Sequence, residues 1–242
     1  MLVPNNKLTD QRKIAVITGI SLLIMAIAAS FSAGFVHESI LVEGDANATL
    51  NNMMTSQTLF KVGIFGWLII LLTDIVVAWG FYIFLKPFNK YLSLLGAWFR
   101  LIYTSILAIA ILNLIVVLLL TKSTDYISLL SNEQLALIVM LLLNAFNAIW
   151  NMGLIIFGGH LLIVGYIAFT SSNLPKIISI LLLVASFGYI VIHLCITFLP
   201  QYERIITILE NVFTLPMIVG ELGFGIWLLF KGGKSLSDEI SA

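Results

Sequence analysis

The chain has 242 residues, of which 60% are hydrophobic and 10% charged, and its 12 basic and 12 acidic side chains cancel at neutral pH. That much apolar surface cannot be hidden in one soluble core of this size, so composition excludes a soluble globular protein and points to an integral membrane protein. Scattered Lys and Arg with zero net charge exclude a nucleic-acid-binding surface. The single cysteine, Cys195 in an apolar run, excludes a disulfide framework or a cysteine metal cage and reads as a small buried hydrophobe.

Crossing a hydrocarbon core of about 30 Å takes roughly 20 apolar residues in a helix. The sequence offers six such stretches, 14–35, 59–85, 91–120, 134–169, 177–199 and 208–230. The expected fold class is therefore all-α: a polytopic bundle of six membrane-spanning helices forming one domain over 1–242, with the lipid bilayer as its partner.

The first stretch follows Lys7, Arg12 and Lys13 and ends in Ala28, Ala29 and Ser30, the outline of a cleaved signal peptide. Its apolar run of about 20 residues exceeds the 7 to 15 of a signal core, so it reads as an anchor. The loop at about 36–58 carries Glu38, Glu43, Asp45 and a polar Asn51-Asn52-Met53-Met54 tract. Its Asn47-Ala48-Thr49 sequon reads as a chance match, since nothing else points to a eukaryotic secretory pathway. The second stretch contains Asp74 and turns tightly through Lys86-Pro87-Phe88-Asn89-Lys90 into the third, which contains Arg100. Ser131 and Gln134 have the form of a capping box opening the fourth. That stretch is too long for one straight span, so Gly158-Gly159 and the preceding Asn144, Asn147 and Asn151 imply a kink or a start outside the bilayer. His193 lies in the fifth stretch, and Glu221 in the sixth, inside Gly220-Glu221-Leu222-Gly223-Phe224-Gly225 shortly after Pro216.

Basic residues outside the spans are asymmetric. Lys7, Arg12, Lys13, Lys86, Lys90, Lys176, Lys231 and Lys234 fall on one side, against Lys61, Lys122 and Arg204 on the other. The positive-inside rule then puts both termini in the cytoplasm, for a multi-pass protein of the plasma membrane.

Counting depth from the basic flank at 1.5 Å per residue puts Asp74, Arg100, His160 and Glu221 at roughly 15 to 18 Å, near the bilayer midplane. His193 comes out at about 25 Å and stands apart from that layer. A charge at such depth costs about 2.5 to 3.5 kcal/mol on insertion scales, so it needs a partner, water or a role. Two readings stay open. Arg100 with Asp74 or Glu221 forms an interhelical ion pair that fixes packing, or the four residues form a polar site that orients a ligand or relays protons. Ser93, Gly96, Tyr103 and Thr104 share a face with Arg100 and form a small, hydroxyl-bearing stripe suited to close packing. A haem between His160 and His193 is disfavoured by their difference in depth, and a metal on Asp74, His160 and Glu221 by Arg100 at the same level, so no cofactor or metal is expected. A shift of 86 residues carries Asp74 onto His160, Lys90 onto Lys176, Ser93 onto Ser179 and Tyr103 onto Tyr189, a faint internal echo.

The patterns Leu72-Thr73-Asp74, Phe84-Leu85-Lys86-Pro87, Phe99-Arg100-Leu101, Phe157-Gly158-Gly159-His160 with Gly165-Tyr166, Ser172-Asn173-Leu174-Pro175, Gly188-Tyr189 and Gly220-Glu221-Leu222 up to Trp227-Leu228-Leu229-Phe230-Lys231-Gly232 resemble a bacterial multi-pass membrane family. It is the domain-of-unknown-function group numbered four-three-eight-six. The resemblance covers roughly 10–233 and departs from the family pattern at Lys176, where Arg is favoured. It implies an inner-membrane helical bundle in a bacterium and brings no activity with it. The residues themselves favour a carrier or a membrane protein binding a small ligand or ion. A structural or sensory subunit comes next, and then an intramembrane lipid enzyme using Glu221 or Asp74 as base and Arg100 for an anionic head group. Substrate and oligomeric state are not readable from these residues.

Overall fold

The computed structural model describes residues 6–122 and 130–234, and every regular element within them is helical. The expectation of one domain over 1–242 reaches beyond these described residues at both ends and across 123–129. Helix α1 (Asn6–Ala29) continues through a π-helical segment, Ser30–Val36, and one further turn, His37–Ile40. It is followed by α2 (Ala46–Thr55), α3 (Gln57–Leu85), α4 (Lys90–Lys122), α5 (Asn132–Thr170), α6 (Lys176–Phe198) and α7 (Glu203–Phe230). All except α2 are long and apolar enough to cross a membrane, which makes six. They contain the six stretches read from hydropathy almost in full, with ends displaced by a few residues.

Each long helix packs against the next one in the chain, and α7 returns to α1, so the six close a ring. Small residues set the seams, because apolar side chains gain little by leaving lipid and tight van der Waals contact must hold the helices together. Along α1 and α3, Gly80 lies under Thr18, Gly66 under Ser32 and Gly63 under Val36. At the other seam of α1, Gly19 lies against the Gly225 carbonyl and the Leu229 backbone of α7. Arg12 completes that seam. Its Nη1 donates to the carbonyls of Leu228 at 3.0 Å and Gly232 at 2.9 Å, at the end of α7.

Two local features refine the sequence reading or differ from it. The fourth stretch is one continuous helix of 39 residues, about 58 Å at 1.5 Å per residue, and Gly158-Gly159 does not interrupt it. The Ser131–Gln134 capping box is present there, with Gln134 N–H donating to Ser131 Oγ at 3.2 Å and Ser131 N–H to Gln134 Oε1 at 3.0 Å. The first turns of α5 bury Leu135, Ala136 and Val139 and pack against α2. Helix α2 itself lies in the stretch read as a loop. Asp45 caps it by accepting from Ala48 N–H at 2.9 Å, and Thr49, Leu50 and Met53 turn one apolar face inward.

Candidate functional site

Arg100 is drawn into the bundle from α4 and is 1% exposed, with Asp74 of α3 and His160 of α5 both at 0%. Its Nε donates to Asp74 Oδ1 at 2.8 Å and its Nη2 lies 2.6 Å from the same oxygen. Nη1 lies 3.1 Å from His160 Nε2, and His160 Nδ1 lies 2.8 Å from the Gly96 carbonyl. These two contacts fix the imidazole. A carbonyl can only accept, so Nδ1 carries the proton and Nε2 accepts from the guanidinium. Met25 Sδ of α1 receives Nη2 at 3.4 Å. The rings of Phe157 and Phe81 lie 5.2 Å and 5.9 Å from the guanidinium carbon. A five-donor fork is thereby held from α1, α3 and α5, with one N–H beyond these contacts.

Glu221 of α7 does not pair with Arg100. Its Oε1 accepts from the Tyr189 hydroxyl of α6 at 2.8 Å, and Tyr189 stacks on His193 with centroids 5.9 Å apart. One ring nitrogen of His193 lies 3.0 Å from Asn151 Oδ1. His193 is thus tied to the layer only through Tyr189, in keeping with its separate depth. Cys195 is half-buried with a free thiol.

Between these groups lies a cavity of about 290 Å³. Asp74, Arg100, Tyr103, Tyr189 and Glu221 contribute its polar lining, and Leu22, Met25, Leu154 and Phe157 are among its apolar walls. His160 is outside it, behind Arg100. Toward the basic end of the bundle the space is closed by aromatic packing: Phe81 stacks on Phe224 at 5.5 Å and Phe224 on Trp227 at 5.9 Å. A void of about 10 Å³ between Arg100, Glu221 and Phe224 is at the lower limit for a single water. Toward the other end Trp67 and Trp150 meet edge-on, with centroids 4.8 Å apart. Trp67 also walls a second small space of about 30 Å³, bordered by Ser32, whose buried hydroxyl has no partner among the described residues.

The layer counted from sequence therefore divides. Asp74, Arg100 and His160 form one bonded cluster, and Glu221 faces the same cavity from a separate hydrogen bond. Depth alone did not indicate Tyr189, Trp67, Trp150 or Met25. The 86-residue echo pointed at Tyr189: it superposes Tyr103 on Tyr189, and both rings contact Phe157, at 4.9 Å and 5.1 Å. It also superposes Asp74 on His160, the two side chains that hold Arg100.

Residues 17–232 match the model of a family described as a domain of unknown function, DUF4386. The chain belongs to that family, as its motifs implied. An uncharacterized protein of Archaeoglobus fulgidus is 32% identical over 180 residues, covering 74% of this chain and 87% of that one. No solved structure matches.

Proposed function

We propose that this protein is a small-ligand-binding membrane protein of the carrier type, and that the cavity beside Arg100 is its binding site. The observation that carries the reading is one wall on which Asp74, Arg100 and Glu221, from three helices, face a common space of about 290 Å³. An ion pair that served packing alone would be enclosed on every side, because any gap forfeits dispersion contacts that a filled core would make. Pockets for small ligands combine apolar walls with a few convergent polar groups, and this space has that make-up. The reading places the protein in the plasma membrane with both termini cytoplasmic, the side on which the eight basic residues gather. A packing role has its own support at His160. Both ring nitrogens are engaged and the ring lies outside the cavity, so His160 positions Arg100.

A thermal-stability screen of small molecules on purified protein in lipid nanodiscs tests the reading, with Ala29→Phe beside the wild type. Ala29 is half-buried on the cavity wall, and a phenyl ring there fills the space. Compounds that raise the wild-type Tm should leave that of the variant unchanged. Equal stabilisation of both proteins, or none of either, overturns the assignment.

A further inference from the structure

Two carboxyl groups, Asp74 and Glu221, face the cavity. Asp74 Oδ2 is buried and has no hydrogen-bond partner among the described residues, with both Arg100 contacts taken by Oδ1. Leaving a buried acceptor without a donor costs about 1 to 3 kcal/mol, and more for a charged group. Glu221 brings the second carboxyl group, while the Tyr103 hydroxyl accepts from Trp150 Nε1 at 3.4 Å and keeps its own proton to donate. Arg100 bonds only one of the two carboxyl groups, which leaves Glu221 with the Tyr189 hydroxyl as its partner. An anion would meet both carboxyl groups and find only one Arg100 N–H beyond its existing contacts. A metal ion is poorly served, since among the described residues no group of three or more His, Cys, Asp and Glu is placed to hold one. Arg100 would also compete for the same carboxylate.

The way in is lateral. Helices α1 and α7 are clamped at their basic ends, where Arg12 reaches the Leu228 and Gly232 carbonyls and Gly19 meets Gly225. Beyond that clamp α1 follows α3, through Ser32 on Gly66 and Val36 on Gly63, while α7 follows α6, through Phe213 on Gly188. The cavity lies where they part, with the exposed residues Ser30 of α1 and Ile218 of α7 both in its lining. Ser30 is also where the π-helical segment begins, a wider turn often found at functional sites.

Building on the binding reading above, we infer that the ligand is a small lipophilic ammonium that enters from the bilayer between α1 and α7 and donates to Asp74 Oδ2 and Glu221. An ammonium supplies three N–H donors and a second positive charge beside the two carboxyl groups. The aromatic faces of Trp67 and Trp150 suit a cation with an apolar body. A volume of about 290 Å³ stands at the low end of the ~300–1,000 Å³ typical of ligand sites, which limits that body to a short chain or a single ring.

Calorimetric titration of the protein in lipid nanodiscs, with empty nanodiscs subtracted, compares n-octylammonium, n-octanol and octanoate, three probes of one length and different charge. Octylammonium should saturate at one per protein and bind at least about tenfold more tightly than octanol, as expected for charge-assisted hydrogen bonds, with octanoate weakest. Asp74→Asn keeps an oxygen for Arg100 but puts an NH2 where Oδ2 was, and should abolish the preference for the amine. Should that variant fail to fold, Glu221→Gln, which retains the Tyr189 bond, should reduce the preference several-fold. Octanol or octanoate binding as tightly as octylammonium overturns the ammonium inference and leaves the binding reading standing. If no probe saturates and the wild type titrates like Ala29→Phe, both fall.

Discussion

Both contacts from Arg100 to Asp74 end on one oxygen, Oδ1, at 2.8 Å from Nε and 2.6 Å from Nη2. Nη1 is held by His160 and Nη2 also meets Met25. The guanidinium is therefore tied to three other helices at once. Removing one charge strands the other at bilayer depth, which typically costs about 3 to 5 kcal/mol. Arg100→Ala is expected to lower Tm and folded yield sharply, while Arg100→Leu combined with Asp74→Leu recovers much of both. Fluorescence-detected size exclusion and thermal unfolding read the outcome, and a single Arg100→Ala variant as stable as the wild type would show that the pair does not hold the bundle.

His160 and Glu221 should respond to substitution in opposite ways. His160→Phe keeps a ring against Phe157 and Phe81 but removes the partner of Arg100 and of the Gly96 carbonyl. Leaving those groups unpaired costs about 1 to 3 kcal/mol, so Tm should fall while the folded fraction binds octylammonium as before. Glu221→Gln retains the Tyr189 hydrogen bond on the cavity wall, and should keep Tm while weakening binding. Paired Tm and titration data decide it; loss of binding by His160→Phe at unchanged Tm contradicts the division of roles.

Depth along the chain could be counted because a helix rises by a constant amount from a flank that the charges mark. That is why Asp74, Arg100 and His160 share a level in the fold as they do in the count. Rotation about each helix axis is a different matter. Glu221 was counted to the same level, yet it turns to Tyr189 of α6, and only the packing of α7 on α6, through Phe213 on Gly188, determines that. The cavity is harder still to anticipate, since it arises where α1 and α7 part company. Helix α2 left a sequence trace that its asparagines obscured: Asp45 in an N-cap position ahead of Leu50 and Met53 on one face.

Close approach between backbones makes the seam of α1 and α7 intolerant of a single methyl group. A Cβ on Gly19 would lie 2.8 Å from the Gly225 carbonyl oxygen and 3.0 Å from Leu229 N, neither of which can rotate away. Gly19→Ala should cost about 1 to 3 kcal/mol by overpacking. At Gly34 a Cβ would meet nothing within 4 Å, so Gly34→Ala should be neutral or stabilise by up to roughly 1 kcal/mol through helix propensity. Thermal unfolding of the two variants in one detergent tests the contrast, which fails if Gly19→Ala melts with the wild type.

Orientation in the membrane is open to a direct label. In a Cys195→Ser background, a thiol introduced by Asn47→Cys lies on α2 beside the end carrying Lys61 and Lys122. It should react with a membrane-impermeant maleimide in intact cells. A thiol at Asn89, in the tight turn between Lys86 and Lys90, should react only after permeabilisation. The reverse pattern inverts the topology.

Entry from the bilayer predicts a larger effect on rates than on affinity. Ser30 stands exposed at the rim, and its hydroxyl bonds only within its own helix, donating to the Ala26 carbonyl at 2.9 Å. Ser30→Trp should therefore leave the ring of helices and the polar wall intact while placing an indole across the gap between α1 and α7. Affinity depends on the bound and free states alone, whereas a narrowed route slows entry and exit together. Stopped-flow tryptophan fluorescence with octylammonium should show both rates reduced, each by a larger factor than the affinity changes. Unchanged rates with Ser30→Trp, alongside slower binding when a bulky residue is placed near Trp67, would move the entrance from the side of the bundle to its end.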